Sequence, residues 1–166
     1  MNGREIKIPV HKLKGYINEV GISMTALSKL SGINARHLMK SLAGEVDTRN
    51  GEVRMLSNDN MERLQEALHQ ISLDLKYIFI YYNPDKEDEK KNGRRYCPDC
   101  VVQIKSQLSP YFKIRPFMHY ALGWKRSKIQ NVMMTNGNIT KDDCDRINIV
   151  LAEISTRLDM FTLTKD

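Results

Sequence analysis

The stretch that decides the fold is LSNDNMERLQEALHQISLDLKYIFI, residues 56–80, because the chain carries a second version of it, ITKDDCDRINIVLAEISTRLDMFTL, at residues 139–163. At an offset of 83, Met61, Leu64, Leu68, Ile71 and Leu75 stand over Cys144, Ile147, Leu151, Ile154 and Leu158. Their 3-4-3-4 spacing is that of one apolar helix face, about four turns long. Ser57 and Thr140 sit just before these runs as N-cap candidates, and the Asp residues that follow complement the helix dipole.

Upstream the offset becomes 91, because the first copy holds eight extra residues in EVDTRNGEVRM (45–55). Gly32 then stands over Gly123, Leu27 over Met118, Leu30 over Ala121 and Leu38 over Ile129, with Leu13 and Ile17 over Ile104 and Leu108. Four consecutive segments sharing one pattern make an internal duplication. Within the insertion, Asn50-Gly51 is a strong signal for a two-residue type I′ hairpin turn. Val46 and Thr48 before it, with Val53 and Met55 after it, predict a short two-stranded wing. It would present Arg49, Asn50 and Arg54 either as a basic finger toward phosphate or as a plain surface hairpin.

The fold class expected is mainly α: two tandem helix-turn-helix domains, 1–82 and 96–166, joined by a charged linker at 83–95. A small β wing and short terminal strands would accompany them. The strand-like runs are EIKIPV near the start, KYIFIYY (76–82) and DMFTL (159–163). They would pair into a small sheet that clamps the halves together, or simply extend the preceding helices. The linker, NPDKEDEKKNGRR, has no apolar anchor and reads as a solvated loop.

In each half the order is helix, helix, tight Gly turn, short helix, loop, long helix. In the first, TALSKL (25–30) leads through Ser31-Gly32-Ile33 to Asn34, which caps ARHLMKSL. Leu38 and Leu42 face inward, so Ala35, Arg36, Met39 and Lys40 project outward, and the capped N-terminus offers backbone N–H groups. In the second half Lys125, Arg126, Ser127, Lys128, Gln130 and Asn131 hold the matching positions. Arg pairs bidentately with guanine, and Gln or Asn with adenine. Lys40, Arg49, Lys113 and Lys141 suit phosphates better. Exposed helices also carry Lys and Arg merely for solubility. However, residues 101–141 contain seven Lys or Arg and no Asp or Glu, whereas a solvated surface would mix its signs.

The segment MTALSKLSGINARHLMKSLAGE, with MERLQEAL after it, resembles the phage-repressor-like (lambda repressor and Cro) helix-turn-helix family. Leu27, Leu30, Gly32, Ile33, Asn34, Leu38, Gly44, Leu64, Ala67 and Leu68 carry the likeness over about 60 residues. Met118, Ala121, Gly123, Trp124, Lys125, Ile129, Gly137, Ile147, Val150 and Leu151 carry it less closely in the second half. The resemblance implies base reading by Ala35, Arg36, Arg126 and Ser127. Where that family often has Gln opening helix two, this chain has Met24 and Arg115, so the base interaction made there is changed or absent. It also implies a transcriptional regulator of phage or mobile-element type. Two readers on one face of B-DNA would fall about 34 Å apart and, because they differ, would read an imperfect repeat.

Other classes find less support. A net charge of +6 and a pI near 9.2 favour an anionic partner. No 18-residue apolar run is present, and MNGREIKIPV lacks a signal-peptide core, so a cytoplasmic location is expected and no membrane partner. Cys97 and Cys100 have metal-ligand spacing but form only half of a four-ligand zinc site, and Cys144 falls on a core position. Zinc is therefore a weak candidate cofactor. Without P-loop, GxGxxG, HExxH or nucleophile-elbow motifs, no catalysis is expected. Trp124 after the turn Gly belongs in the core, while Tyr77, Phe79, Tyr81 and Tyr82 belong in the core or on a self-association surface. The rival reading is a non-catalytic scaffold whose helix-turn-helix faces bind protein, including a protein of the transcription machinery.

Overall fold

The computed structural model describes residues 5–89, 93–134 and 137–165; the start of the N-terminal segment and linker residues 90–92 lie outside them. The chain is mainly helical with short strands. Strand β1 (Ile6–Pro9) leads into α1 (Val10–Val20), α2 (Met24–Ser31), α3 (Ala35–Leu42) and the long α4 (Asn58–Leu75). After a 3-10 turn at Pro84–Lys86, β2 (Asp88–Glu89) and β3 (Arg95–Tyr96) pair antiparallel. Then come α5 (Pro98–Leu108), α6 (Ile114–Pro116) continuing as a π turn over Phe117–Ala121, α7 (Arg126–Met134), α8 (Lys141–Met160) and β4 (Phe161–Thr164).

Local chemistry sets the ends of these helices. Ser57 caps α4 by accepting from Asn60 N–H at 3.1 Å. Thr140 and Asp143 form a reciprocal capping box at the start of α8. Inward residues of both copies merge into one continuous core, in which Leu13, Leu64, Leu68 and Ile71 meet Ile104, Phe117, Ile147 and Leu151.

The duplication reappears in the hydrogen bonds. α4 packs along α8, and where they meet the Ser72 hydroxyl donates to the Ser155 carbonyl at 2.6 Å while Ser155 returns the bond at 2.7 Å. These residues are 83 apart, so the contact exchanges its own members, as a two-fold axis would. An antiparallel bridge also joins residues 21–23 of one copy to 111–113 of the other: Ser23 N–H reaches the Tyr111 carbonyl and Lys113 N–H the Gly21 carbonyl, both at 2.9 Å.

The tail of each copy is seated on the other. β4 pairs parallel with β1, Ile6 opposite Phe161, and the Gln65 amide clamps it by donating to Phe161 O and accepting from Leu163 N–H, both at 2.7 Å. Asn148, which stands over Gln65 in the repeat, grips Ile80 N–H and C=O at 2.8 and 2.9 Å. Gln103 does the same for Tyr81 at 2.8 and 2.7 Å. The terminal runs EIKIPV and DMFTL thus do pair. Among the described residues KYIFIYY joins no sheet, because the place equivalent to β1 is Cys97–Cys100, where Pro98 opens a helix instead. Two side-chain amides replace the missing strand.

The wing differs from expectation. Asp47 N–H bonds Glu52 O, and Gly51 N–H bonds Asp47 O, both at 2.8 Å, which makes 48–51 a four-residue loop. Asp47 also accepts from Arg49 N–H, and this Asx contact displaces the expected two-residue turn. Among the described residues a single bridge, Val46 to Val53, follows it. Leu30, placed in the apolar pattern, is 40% exposed.

Gly21 and Gly123 separate two effects. Both have φ near +70°, but a Cβ at Gly21 would lie 2.5 Å from Phe117 N, across the repeat contact, while one at Gly123 meets nothing within 4 Å among the described residues. Gly123→Ala should cost about 1–2 kcal/mol of backbone strain. Gly21→Ala should cost about 1–3 kcal/mol more, from overpacking. Urea unfolding of the two variants checks the order; equal losses would mean that the repeats do not press together there.

Candidate nucleic-acid interface

In the first copy Gly32, at φ +72°, ends α2 and aims α3. The Ser28 hydroxyl donates to Ile33 O at 2.6 Å and fixes the turn. The second copy repeats this device with a different residue: His119 Nδ1 lies 3.1 Å from Trp124 O, beside Gly123 at φ +71°. Trp124 is buried, as its place after the turn requires.

On α3, Leu38 and Leu42 are buried, while Ala35, Arg36 and Met39 are exposed. The Asn34 side chain accepts from Arg36 and His37 N–H at 3.0 and 3.3 Å, so part of the helix N-terminus is already occupied and is not an open phosphate cradle. Lys40 reaches Glu45 at 3.9 Å. In the wing, Arg49 and Arg54 lie 3.5 and 3.9 Å from Asp47. The Arg49 backbone N–H holds the Asp47 carboxyl below the usual carboxylate range; desolvation opposes it, and the Arg49 and Arg54 charges each add a smaller lowering effect. Arg49 stays exposed, whereas Arg54 folds inward, its Nε buried without a hydrogen-bond partner among the described residues.

The second copy is better supplied. Ile129 and Val132 bury one side of α7, and Lys125, Arg126, Ser127, Gln130 and Asn131 are exposed on the other. Among the described residues none of the carboxylates pairs with Lys125 or Arg126. Lys128 is engaged elsewhere, since its Nζ bonds Asp143 at 2.7 Å and stands 4.5 Å above the Trp124 ring. It therefore ties α7 to the capping box of α8, a role that the spacing alone did not reveal. Arg115 is exposed in the first turn of α6, and Lys113 is exposed just before it. Lys141 pairs with Asp145 at 3.0 Å, which raises its pKa.

Cys97, Cys100 and Cys144 come together in the core, all fully buried. Cys100 donates to Tyr81 O at 3.4 Å and Cys97 to Asn83 O at 3.7 Å, so the tail of the first copy uses their protons. Burial, with Cys144 and Cys97 adjoining, pushes the Cys100 thiol far up; burial brings Cys144 to about 11. Zinc needs thiolates, and among the described residues no group of three or more His, Cys, Asp or Glu is arranged to hold a metal ion. Among the described residues no helix is long and apolar enough to cross a membrane.

No known family model, curated protein or solved structure matches the chain.

Thiol reactivity runs through the thiolate and access to it. At pH 8 all three cysteines of the native protein should resist a thiol-specific reagent that titrates three thiols in urea. Rapid reaction of one in the native protein would contradict this account of the core.

Proposed function

We propose that this protein binds double-stranded DNA sequence-specifically and regulates transcription without catalysis, with α7 as its principal reading element. The observation that carries the reading is the outer face of α7. Lys125, Arg126, Gln130 and Asn131 are exposed there, the two cations lack a carboxylate partner among the described residues, and Trp124 and Ile129 anchor the helix from behind. A face of this kind offers donors to phosphates and to guanine or adenine edges. Arg36 would be the first copy's contribution, and Arg115, Lys113 and Arg49 would contact phosphates. The resemblance to phage-repressor-like proteins supports the same reading from sequence, and the differing helices imply an imperfect repeat as the site.

One observation favours a second role for the first copy. Met39 and Ala35 are exposed on α3 while Lys40 and Arg54 are engaged by Glu45 and Asp47. That face suits a protein partner better than a phosphate backbone.

Binding to random-sequence duplex DNA across salt tests both readings. Wild-type affinity should fall steeply with salt. Arg126→Ala/Gln130→Ala should weaken binding to a site selected from the pool by about 1–3 kcal/mol for each base that is no longer read. If Arg36→Ala changes nothing, α3 is free for protein. If the wild type binds no better at low salt than an equally basic control, DNA reading is wrong.

A further inference from the structure

The repeat supplies an internal control for an exposed apolar face. In the tail of the first copy Ile78, Ile80 and Tyr82 point inward, leaving Tyr77, Phe79 and Tyr81 outward at 89%, 60% and 56% exposure. Tyr81 is held to α5 through Gln103, and Ile80 to α8 through Asn148. Ile149 on α8, 53% exposed, lines one groove with Phe79 and continues the same face; Val102, 64% exposed, is the neighbour of Gln103 on α5. The equivalent face on the other tail carries different chemistry. Thr162 stands where Phe79 does, Thr164 for Tyr81, Glu66 for Ile149 and His11 for Val102. Four of the five positions are thus polar in the other repeat, and Met160 stands where Tyr77 does. Isolated exposed apolar residues are ordinary, but a contiguous aromatic face is an interaction surface.

We infer that this face is the contact between two copies of the chain, which associate through it about a two-fold axis. Size supports this occupant. An aromatic side chain buries about 150–250 Å², so three aromatics this exposed, with Val102 and Ile149, approach the roughly 800 Å² per partner of a standard interface. Shape supports it too. A groove of about 450 Å³, lined by Lys76, Ile78, Phe79, Ile149, Ala152 and Thr156, includes both chain neighbours of the 89% exposed Tyr77. A knob next to a hole on one patch is what an isologous dimer needs. The five face residues are uncharged, and Lys76, which also lines the groove, is paired with Asp159 at 3.9 Å. The inference does not rest on DNA binding.

Sedimentation of the full chain without DNA, from about 0.1 to about 100 µM, tests it over the affinity range of such interfaces. The wild type should pass from monomer to dimer. Phe79→Thr/Tyr81→Thr/Ile149→Glu installs residues that the other repeat already carries at these places, and should weaken association on the order of a hundredfold. Tyr77→Glu, at an 89% exposed position where folding is not at stake, should weaken it as well. Unchanged helical circular dichroism verifies the fold of both variants. A wild type that stays monomeric throughout overturns the inference, even if a different protein is captured there. So does a dimer that both variants leave intact.

Discussion

The crossing of α4 over α8 at Ser72 and Ser155 is the constraint on which the rest of the molecule depends. Each serine is buried, and each hydroxyl donates to the other's backbone carbonyl. A larger residue would hold the helices apart, and an apolar one would leave the opposite carbonyl without its donor. The net gain of each bond is only about 1 kcal/mol, but an unpaired buried polar group costs more, so register and pairing are set together. Once α4 and α8 are in register, Gln65 and Asn148 lie where the opposite tail must pass.

The tails turn two similar halves into one body. Each copy alone would be a small domain near the size at which a single core is marginal. Seating 76–82 on α5 and α8, and 161–164 on β1 and α4, lets each half complete the apolar surface of the other. The same exchange explains an asymmetry. Pro98 turns the second copy's would-be first strand into a helix start, and three thiols fill the core beneath the tail that has no strand partner.

Charge divides the two reading elements more than shape does. α3 and α7 follow the same turn, held by Ser28 in one copy and His119 in the other. Around α3 and its wing, Glu45 and Asp47 draw Lys40 and Arg54 aside. Around α7, among the described residues, Lys128 is drawn aside by Asp143, and that pair braces the helix on its own scaffold. The remaining exposed cations face solvent, which is why the nucleic-acid proposal is weighted toward the second copy.

The sequence by itself determined the helices, their caps and the duplication, because helical periodicity, N-cap chemistry and a repeated spacing are local properties. Leu64, Leu68 and Ile71 with Ile147, Leu151 and Ile154 were legible as two apolar faces, and Gly32 and Gly123 as turns. The exposed faces of α3 and α7 followed from the same spacing. Other features were settled only by tertiary structure. Which tail lies on which half rests on Gln65, Asn148 and Gln103, polar residues that look like ordinary helix surface until a strand crosses them. The loop at 48–51 was taken over by Asp47, and Lys128 by Asp143, since a free partner within reach overrides a turn or surface preference. Apart from that local Asp47 loop, such contacts join residues 15 to 98 positions apart, and no local pattern encodes which of many possible partners the packed core brings within reach.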